Sequence, residues 1–134
     1  MCYRAIDRPE IAETHVDEWN EQHKAMPLSA GFDRQAMEDT GVDPTSASTD
    51  ADVLQQTYER LRARQVERRL WPLPVQGFAD RWEAWLRAEG YVDFTGMIES
   101  ALDDVPYAPG NPAVGLFDEV QDFTALELAL VRKW

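Results

Sequence analysis

One face of the segment GFADRWEAWLRAEG, residues 77–90, carries large apolar side chains at helical spacing: Phe78, Trp82, Trp85 and Leu86. Positions three and four apart fall on the same side of a helix, so this pattern predicts an amphipathic helix. Gly90 follows as a helix stop, because glycine readily adopts the left-handed conformation that often ends a helix. Aromatic side chains at this spacing favour burial in a core over a platform for stacking bases.

Three further segments show helical periodicity. They are RPEIAETHVDEWNEQHKA (residues 8–25), ADVLQQTYERLRARQVERRLW (residues 51–71) and YVDFTGMIESAL (residues 91–102). Asp93 or Thr95 is expected near the start of the third helix, because both side chains can cap a helix N-terminus. Residues 31–52 read as a loop or linker interrupted by a short helix at residues 33–39, and WPLPVQ should break the chain through its prolines. The predicted fold class is mainly α-helical.

The helix predicted at residues 51–71 carries arginines at regular intervals. Arg60, Arg64 and Arg68 recur four residues apart, so a continuous helix would align them in one basic stripe. Such a stripe could contact the phosphates of a nucleic acid. The alternative is a solvated face on which Glu59 and Glu67 offset the positive charge.

The C-terminal part of the sequence changes character at residues 113–117, AVGLF. This short apolar run is bounded by turn residues and predicts a buried β-strand. After it, apolar side chains recur at helical intervals: Phe123, Leu126, Leu130 and Trp134. The predicted local unit is therefore a strand, an acidic turn and a helix.

Two acidic residues, Asp118 and Glu119, stand at the end of the predicted strand. Carboxylates at the end of a buried strand are costly unless something uses them, and open α/β sheets bind ligands at this end. One carboxylate can hold Mg²⁺, usually through water, while its neighbour faces the attacking water of a phosphoryl transfer. The alternative is an ordinary solvated strand end.

The longer string GLFDEVQDFTALELALVRKW resembles the Walker B segment, or motif II, of UvrD/Rep-like superfamily 1 DNA helicases. Those proteins carry a hydrophobic strand, then D-E-x-Q-D, then a Leu-rich helix. The four defining residues are present here as Asp118, Glu119, Gln121 and Asp122. YVDFTGMIESAL is similar to the D-F-x-x-[LM]-[IL] helix that precedes motif II in this family, and MCYRAI resembles the continuation of its motif Ia.

The resemblance implies part of a P-loop NTPase (RecA-like) α/β domain with a helical insertion. Residues 1–110 would form the helical insertion subdomain, and residues 111–134 the Walker B strand, turn and helix. One or two short β-strands are therefore expected near the C-terminus. The implied cofactors are ATP and Mg²⁺, and the implied partner is single-stranded DNA, which the insertion and its arginine stripe would lie beside.

Each residue of the matched string would take the family's role for its position. Asp118 would coordinate the magnesium of Mg-ATP, and Glu119 would activate the hydrolytic water. Gln121 would sense the γ-phosphate region, and Asp122 would support the turn and contact neighbouring motifs. The resemblance thus makes Glu119 and Gln121 the candidate catalytic residues, and Asp118 and Asp122 the candidate cofactor-binding residues.

Two parts of a helicase motor are missing from the sequence. It contains no G-x-x-x-x-G-K-[ST] loop to cradle phosphates, and neither the later helicase motifs nor a second RecA-like domain follow. We therefore expect a fragment or truncated product of a helicase, inactive alone, whose natural partner is the remainder of the helicase chain. Apolar surface left where sheet strands would pack could drive self-association.

The charge balance supports a rival hypothesis. The formal net charge of −12 argues against non-specific nucleic-acid binding by the chain as a whole. The rival is a small acidic non-enzymatic interaction protein, or a regulator derived from a helicase, that binds a basic partner.

No apolar run approaches the roughly 20 residues that cross a bilayer, no secretory signal is seen, and Cys2 is the single cysteine. These features predict a cytoplasmic protein with no membrane partner.

Overall fold

The computed structural model describes residues 9–29 and 50–134. Within these residues the chain forms five α-helices: α1 (Val16–Gln22), α2 (Asp50–Ala63), α3 (Leu73–Glu89), α4 (Phe94–Asp104) and α5 (Ala125–Lys133). Three short 3-10 turns accompany the helices: Ala12–Thr14 precedes α1, Arg68–Leu70 lies between α2 and α3, and Val120–Asp122 lies between α4 and α5. The mainly α-helical class is confirmed. No β-sheet occurs in the described part of the chain, where strand-like pairing is limited to one isolated bridge.

Helix α3 is the central element, and its buried residues repeat at helical spacing: Val75, Phe78, Ala79, Trp82 and Trp85. Phe78, Trp82 and Trp85 are each at most 2% exposed, so the predicted aromatic face does form the core. Helix α2 packs along α3, and Tyr58 of α2 meets the Phe78 ring edge-on at 5.9 Å. Large aromatic side chains remove more apolar area from water per residue than smaller ones, so these residues stabilise the core strongly.

Trp19 of α1 completes the core from the N-terminal side. It is fully buried, and its ring centroid lies 5.1 Å from that of Trp82 and 5.6 Å from that of Trp85. Its indole N–H donates to the Met26 carbonyl at 2.9 Å, so the polar edge of the ring is satisfied. Helix α1 is short, and this one side chain is its main attachment to α3.

The first helix is shorter than predicted. Residues 8–25 were expected to form one helix, but the described part contains the 3-10 turn, a break at His15 and then α1. Before the 3-10 turn, the backbone around Ile11 is held by a distant segment. The Ala12 N–H donates to the Val92 carbonyl at 2.9 Å, and the Val92 N–H donates to the Glu10 carbonyl at 3.1 Å. These bonds form a parallel bridge between Ile11 and Val92 and take the backbone out of helical pairing.

Helix α2 also ends earlier than the predicted residues 51–71. It stops at Ala63, and Gln65 adopts a positive φ of 55°. The Val66 N–H donates to the Leu61 carbonyl at 2.9 Å, and the Gln65 N–H donates to the Arg62 carbonyl at 2.8 Å. These two hydrogen bonds form a Schellman motif, which ends the helix. The chain then reverses through the 3-10 turn into α3.

Helix α3 begins before the predicted segment 77–90. Pro72 occupies its N-cap and Pro74 lies in its first turn, where a backbone N–H has no helical partner to lose. The prolines of WPLPVQ therefore start the helix as well as separate it from α2. The predicted stop at Gly90 is confirmed, since Gly90 is left-handed with φ 75°.

The β-strand predicted at residues 113–117 is wrong. This segment is irregular and exposed, and Leu116 is 94% accessible. A strand needs a neighbour for its backbone N–H and C=O groups, and no described residue pairs with these five. Helix α5 follows, as the apolar periodicity predicted, and packs against α4 and α2 through the buried Leu126.

The predicted short helix at residues 33–39 and most of the predicted linker 31–52 lie outside the described residues. Positions 50–52 of that linker belong to α2. No helix in the described ranges is both long enough and apolar enough to cross a lipid bilayer.

Candidate functional site

The four residues of the acidic motif lie together in one exposed turn before α5. Glu119 adopts a left-handed conformation with φ 51°, and its N–H donates to the Asp118 Oδ1 at 2.9 Å. The Asp122 N–H donates to the Glu119 carbonyl at 2.9 Å, which closes the 3-10 turn. The Gln121 side-chain amide donates to the Glu119 carboxylate. The turn is therefore built by its own acidic and amide side chains.

Helix α5 begins at a fixed point directly after this turn. Thr124 is the N-cap, and its hydroxyl accepts from the Glu127 N–H while the Glu127 carboxylate accepts from the Thr124 N–H at 2.7 Å. This reciprocal pair is a capping box, which satisfies two of the backbone donors that a helix start leaves free. Residues 118–122 are thus held between an irregular apolar segment and a well-capped helix.

The turn can offer only part of a magnesium site. Mg²⁺ prefers six oxygen ligands and commonly takes one or two from carboxylates, with water and phosphate oxygens for the rest. Asp118 is exposed and could supply one such oxygen. Among the described residues no group of three His, Cys, Asp or Glu side chains is placed to hold a metal ion. The described residues therefore offer single exposed carboxylates here and no assembled set of metal ligands.

The predicted arginine stripe is not one surface. Arg60 lies on α2, whereas Arg64 lies beyond the end of that helix and Arg68 lies in the next 3-10 turn. Because the chain reverses at Gln65, the four-residue spacing no longer aligns the three side chains. Arg68 forms ion pairs with Asp80 at 2.6 Å and with Glu83 at 2.9 Å.

Arg60 and Arg64 remain available on the surface. Both are exposed, and neither takes part in an ion pair within residues 9–29 and 50–134. The continuous helix behind the predicted stripe is wrong, and the contact of these arginines with phosphates stays a prediction.

Asp93 is a buried carboxylate that accepts three hydrogen bonds, and the sequence predicted it only as one of two candidate caps, with Thr95. Asp93 is 1% exposed, and its Oδ1 accepts from the Gly96 N–H at 2.7 Å as the N-cap of α4. Its Oδ2 accepts from the Arg62 guanidinium at 2.7 Å and from the Trp82 indole N–H at 2.9 Å. One carboxylate therefore joins α2, α3 and α4.

Arg62 extends this network to the surface. Its Nε and Nη2 both donate to Glu99 of α4, a bidentate arrangement in which the Nη2–Oε2 distance is 2.5 Å. Burial alone would lower the pKa of Arg62, but the hydrogen bonds to Glu99 and the charge of Asp93 raise it. The guanidinium is therefore a permanent cation, and it also lies over the Tyr58 ring at 4.7 Å.

A groove of about 780 Å³ opens beside this network. Its walls carry cations and anions in similar number, among them Arg62, Arg87, Glu83, Glu99 and Asp103. Leu126 of α5 closes part of one side. The mixed charge and the internal pairing of Arg62 make the groove a seam between helices rather than a site for one ligand of strong charge.

The Arg62 network leaves no recognisable pattern in the sequence. Arg62 and Asp93 are 31 positions apart, and neither belongs to a short motif that specifies a buried ion pair. The only available signal was a potential cap, Asp93, followed three residues later by the flexible Gly96.

Comparisons of this chain with known protein families, with curated proteins and with solved structures give no match.

Proposed function

We propose that this chain is part of the ATPase domain of a UvrD-like DNA helicase, comprising its helical insertion and its motif II. The proposal is carried by the string FDEVQDFT together with the placement of its acids in one turn directly before a capped helix. The segment YVDFTGMIESAL supports it from a second position, since it is helical from Phe94 onwards as its family counterpart would be. The parent activity would be ATP-driven movement along single-stranded DNA.

Under this proposal each residue of the turn would take one role. Asp118 would offer a carboxylate oxygen to Mg²⁺, which supplies charge neutralisation at the nucleotide phosphates. Glu119 would accept the proton of the attacking water. Gln121 already holds the Glu119 carboxylate through its amide and would orient it, and Asp122 would support the turn through its backbone bond to Glu119.

DNA contact under the same proposal falls to Arg60 and Arg64. Their guanidinium groups are exposed and free of ion pairs in the described chain, as phosphate contacts require. Arg68 is a weaker candidate than the sequence suggested, because its two acidic partners would have to be displaced. The arginine closest to the core, Arg62, is committed to Asp93 and Glu99.

The test begins with the native polypeptide that carries FDEVQDFT, identified by peptide-targeted mass spectrometry of size-fractionated lysate. If the proposal is correct, the native chain that contains this peptide is much larger than 15.3 kDa. In that larger protein, Glu119→Gln should reduce DNA-stimulated ATP hydrolysis by at least about a hundredfold, the low end for loss of a positioned general base. ATP binding should persist.

Glu127→Gln is the matched control. It makes the same chemical change eight positions away, and glutamine also serves in a capping box, so α5 should keep its start. Normal hydrolysis in Glu119→Gln, or loss of hydrolysis in both variants alike, would contradict the proposed role of the turn. The isolated chain should hydrolyse no ATP, because it holds no phosphate-cradling loop.

A second candidate function is the acidic interaction protein or helicase-derived regulator. Two observations favour it. The carboxylates of the turn are exposed and belong to no group of metal ligands among the described residues, and the chain has a net charge of −12. If this function is correct, we expect FDEVQDFT in a native chain of 15.3 kDa. We also expect that chain to bind a basic protein more weakly as the salt concentration rises. Co-purification with a complete helicase would identify the regulator.

A further inference from the structure

His15 lies between two carboxylates at the point where the N-terminal segment meets the connection between α3 and α4. Its Nε2 is 2.6 Å from the Glu10 Oε2, and its Nδ1 is 3.0 Å from the Glu18 Oε1. Its ring stacks on Tyr91 with centroids 4.4 Å apart and an interplanar angle of 13°. The Tyr91 hydroxyl in turn donates to the Glu18 Oε2 at 2.7 Å.

The geometry requires two N–H groups on the His15 ring. A neutral imidazole carries one donor and one acceptor nitrogen, whereas the imidazolium carries two donors. Carboxylate oxygens are acceptors only, so a neutral His15 can satisfy Glu10 or Glu18 but not both. The observed arrangement is therefore that of the protonated ring.

The surrounding charges favour the same protonation state. Glu10 and Glu18 face the ring from its own segment, Tyr91 faces it from the α3–α4 connection, and Glu89 at the end of α3 acts on Tyr91. Within residues 9–29 and 50–134, His15 is the one cation within ion-pair distance of Glu10 or Glu18. Loss of its proton would leave these carboxylates facing one another uncompensated.

We propose that His15 is a pH-dependent clamp that holds residues 10–15 on the α3–α4 connection while its ring is protonated. The clamp and the parallel bridge share Glu10, whose carbonyl accepts from the Val92 N–H while its carboxylate holds His15. Weakening the side-chain contact therefore loosens the backbone contact. Trp19 keeps α1 in the core at either pH, so the change is confined to the segment before it.

Partial burial opposes protonation, but the hydrogen bonds to Glu18 and Glu10 raise the pKa of His15. A histidine whose pKa is raised on folding stabilises the folded state fully below its unfolded pKa of about 6.5. That stabilisation is lost as the pH rises through the folded pKa. The hydrogen bond from Tyr91 and the one from His15 lower the pKa of Glu18, so Glu18 stays ionised throughout this range.

The experiment follows the His15 ring by NMR and the Ala12 and Val92 amides by hydrogen exchange between pH 5.5 and 8.5. After correction for intrinsic exchange, the protection of both amides should fall roughly two- to fivefold as the pH rises, as for an exposed ion pair. The His15 ring should titrate above the ordinary value of about 6.5. A midpoint at or below that value overturns the clamp.

Three variants make the result decisive. His15→Gln should abolish the pH dependence of amide protection. Glu10→Gln should reduce it, because the glutamine amide can donate to the acceptor nitrogen of a neutral ring. Asp17→Asn removes a carboxylate that is exposed on α1, and it should leave the profile unchanged. A wild-type profile in His15→Gln, or a flattened profile in Asp17→Asn, overturns the proposal.

Discussion

Replacement of Asp93 by alanine is expected to be among the most destabilising single changes in the chain. The substitution removes the acceptor for three donors at once: the Arg62 guanidinium, the Trp82 indole N–H and the Gly96 N–H. Arg62 would be left with its side chain only 10% exposed and with Glu99 as its remaining partner. The substitution therefore leaves the buried Arg62 cation without one of its two carboxylate partners and removes the N-cap of α4.

The expected magnitude follows from these contacts. Removing one partner of a buried ion pair costs about 3–5 kcal/mol, and loss of an N-cap costs about 1 kcal/mol. Glu99 still pairs with Arg62 and water can reach it through the groove, so the total for Asp93→Ala should be about 3–5 kcal/mol. For a domain of this size that corresponds to a fall in Tm of roughly 10–20 °C.

Urea denaturation monitored by tryptophan fluorescence measures this cost directly. Glu99→Gln is the matched control, because it alters the other partner of Arg62 at a position that is 39% exposed, and it should cost less than about 1 kcal/mol. Combining Asp93→Ala with Arg62→Met should recover part of the loss, since the stranded cation is removed with its partner. A cost for Asp93→Ala no larger than that of Glu99→Gln, or no recovery in the double variant, would refute the reasoning.

Three further changes test other parts of the fold. Gly96→Ala should destabilise by about 1–3 kcal/mol in urea denaturation despite alanine's higher helix propensity, because the new Cβ would lie 2.7 Å from the Asp93 Oδ1; a more stable variant would contradict the cap geometry. Thr124→Ala should cost about 1 kcal/mol and speed hydrogen exchange in α5, whereas Thr124→Ser should not. Burial raises the pKa of Glu13, whose Oε2 has no partner among the described residues, so stability from this group falls as the pH rises above its unfolded pKa. Glu13→Gln should therefore flatten the stability profile of urea midpoints between pH 4 and 7, and an unchanged profile would count against this assignment.

The features that the sequence predicted correctly depend on neighbours close along the chain. The aromatic face of α3, its stop at Gly90 and the cap at Asp93, one of the two predicted candidates, each need only the preceding or following turn of helix. The same holds for the apolar periodicity that predicted α5, although its start at the Thr124–Glu127 capping box was not predicted. Local periodicity and capping are sufficient to specify such elements.

The features that were predicted wrongly depend on distant partners. Residues 113–117 have a strand-like composition, but a strand forms only where another backbone pairs with it. The arginine stripe assumed that periodicity continues past Ala63, whereas the chain turns at Gln65. The burial of Arg62 depends on Asp93, 31 positions away, which no local pattern indicates.

The acidic turn was predictable from the sequence only in part. Its residues lie together because they are adjacent in sequence, so their grouping followed from the motif alone. Their hydrogen bonds did not follow, because the left-handed backbone at Glu119 decides which carboxylate meets the Gln121 amide. The roles of Asp118, Glu119, Gln121 and Asp122 in ATP hydrolysis stay predictions, to be tested by the Glu119→Gln and Glu127→Gln pair.

The bridge between Ile11 and Val92 has a consequence for the order in which the molecule assembles. The partners of the N-terminal segment lie far along the chain: Glu18 bonds to Tyr91 across 73 positions, and Glu13 bonds to the Phe94 N–H across 81. Contacts between distant positions form late, because the loop between them must close first. Synthesis runs from the N-terminus, so Trp19 leaves the ribosome well before α3, which begins at Leu73, exists to cover it. The early chain carries an exposed tryptophan that only the later part of the sequence can bury.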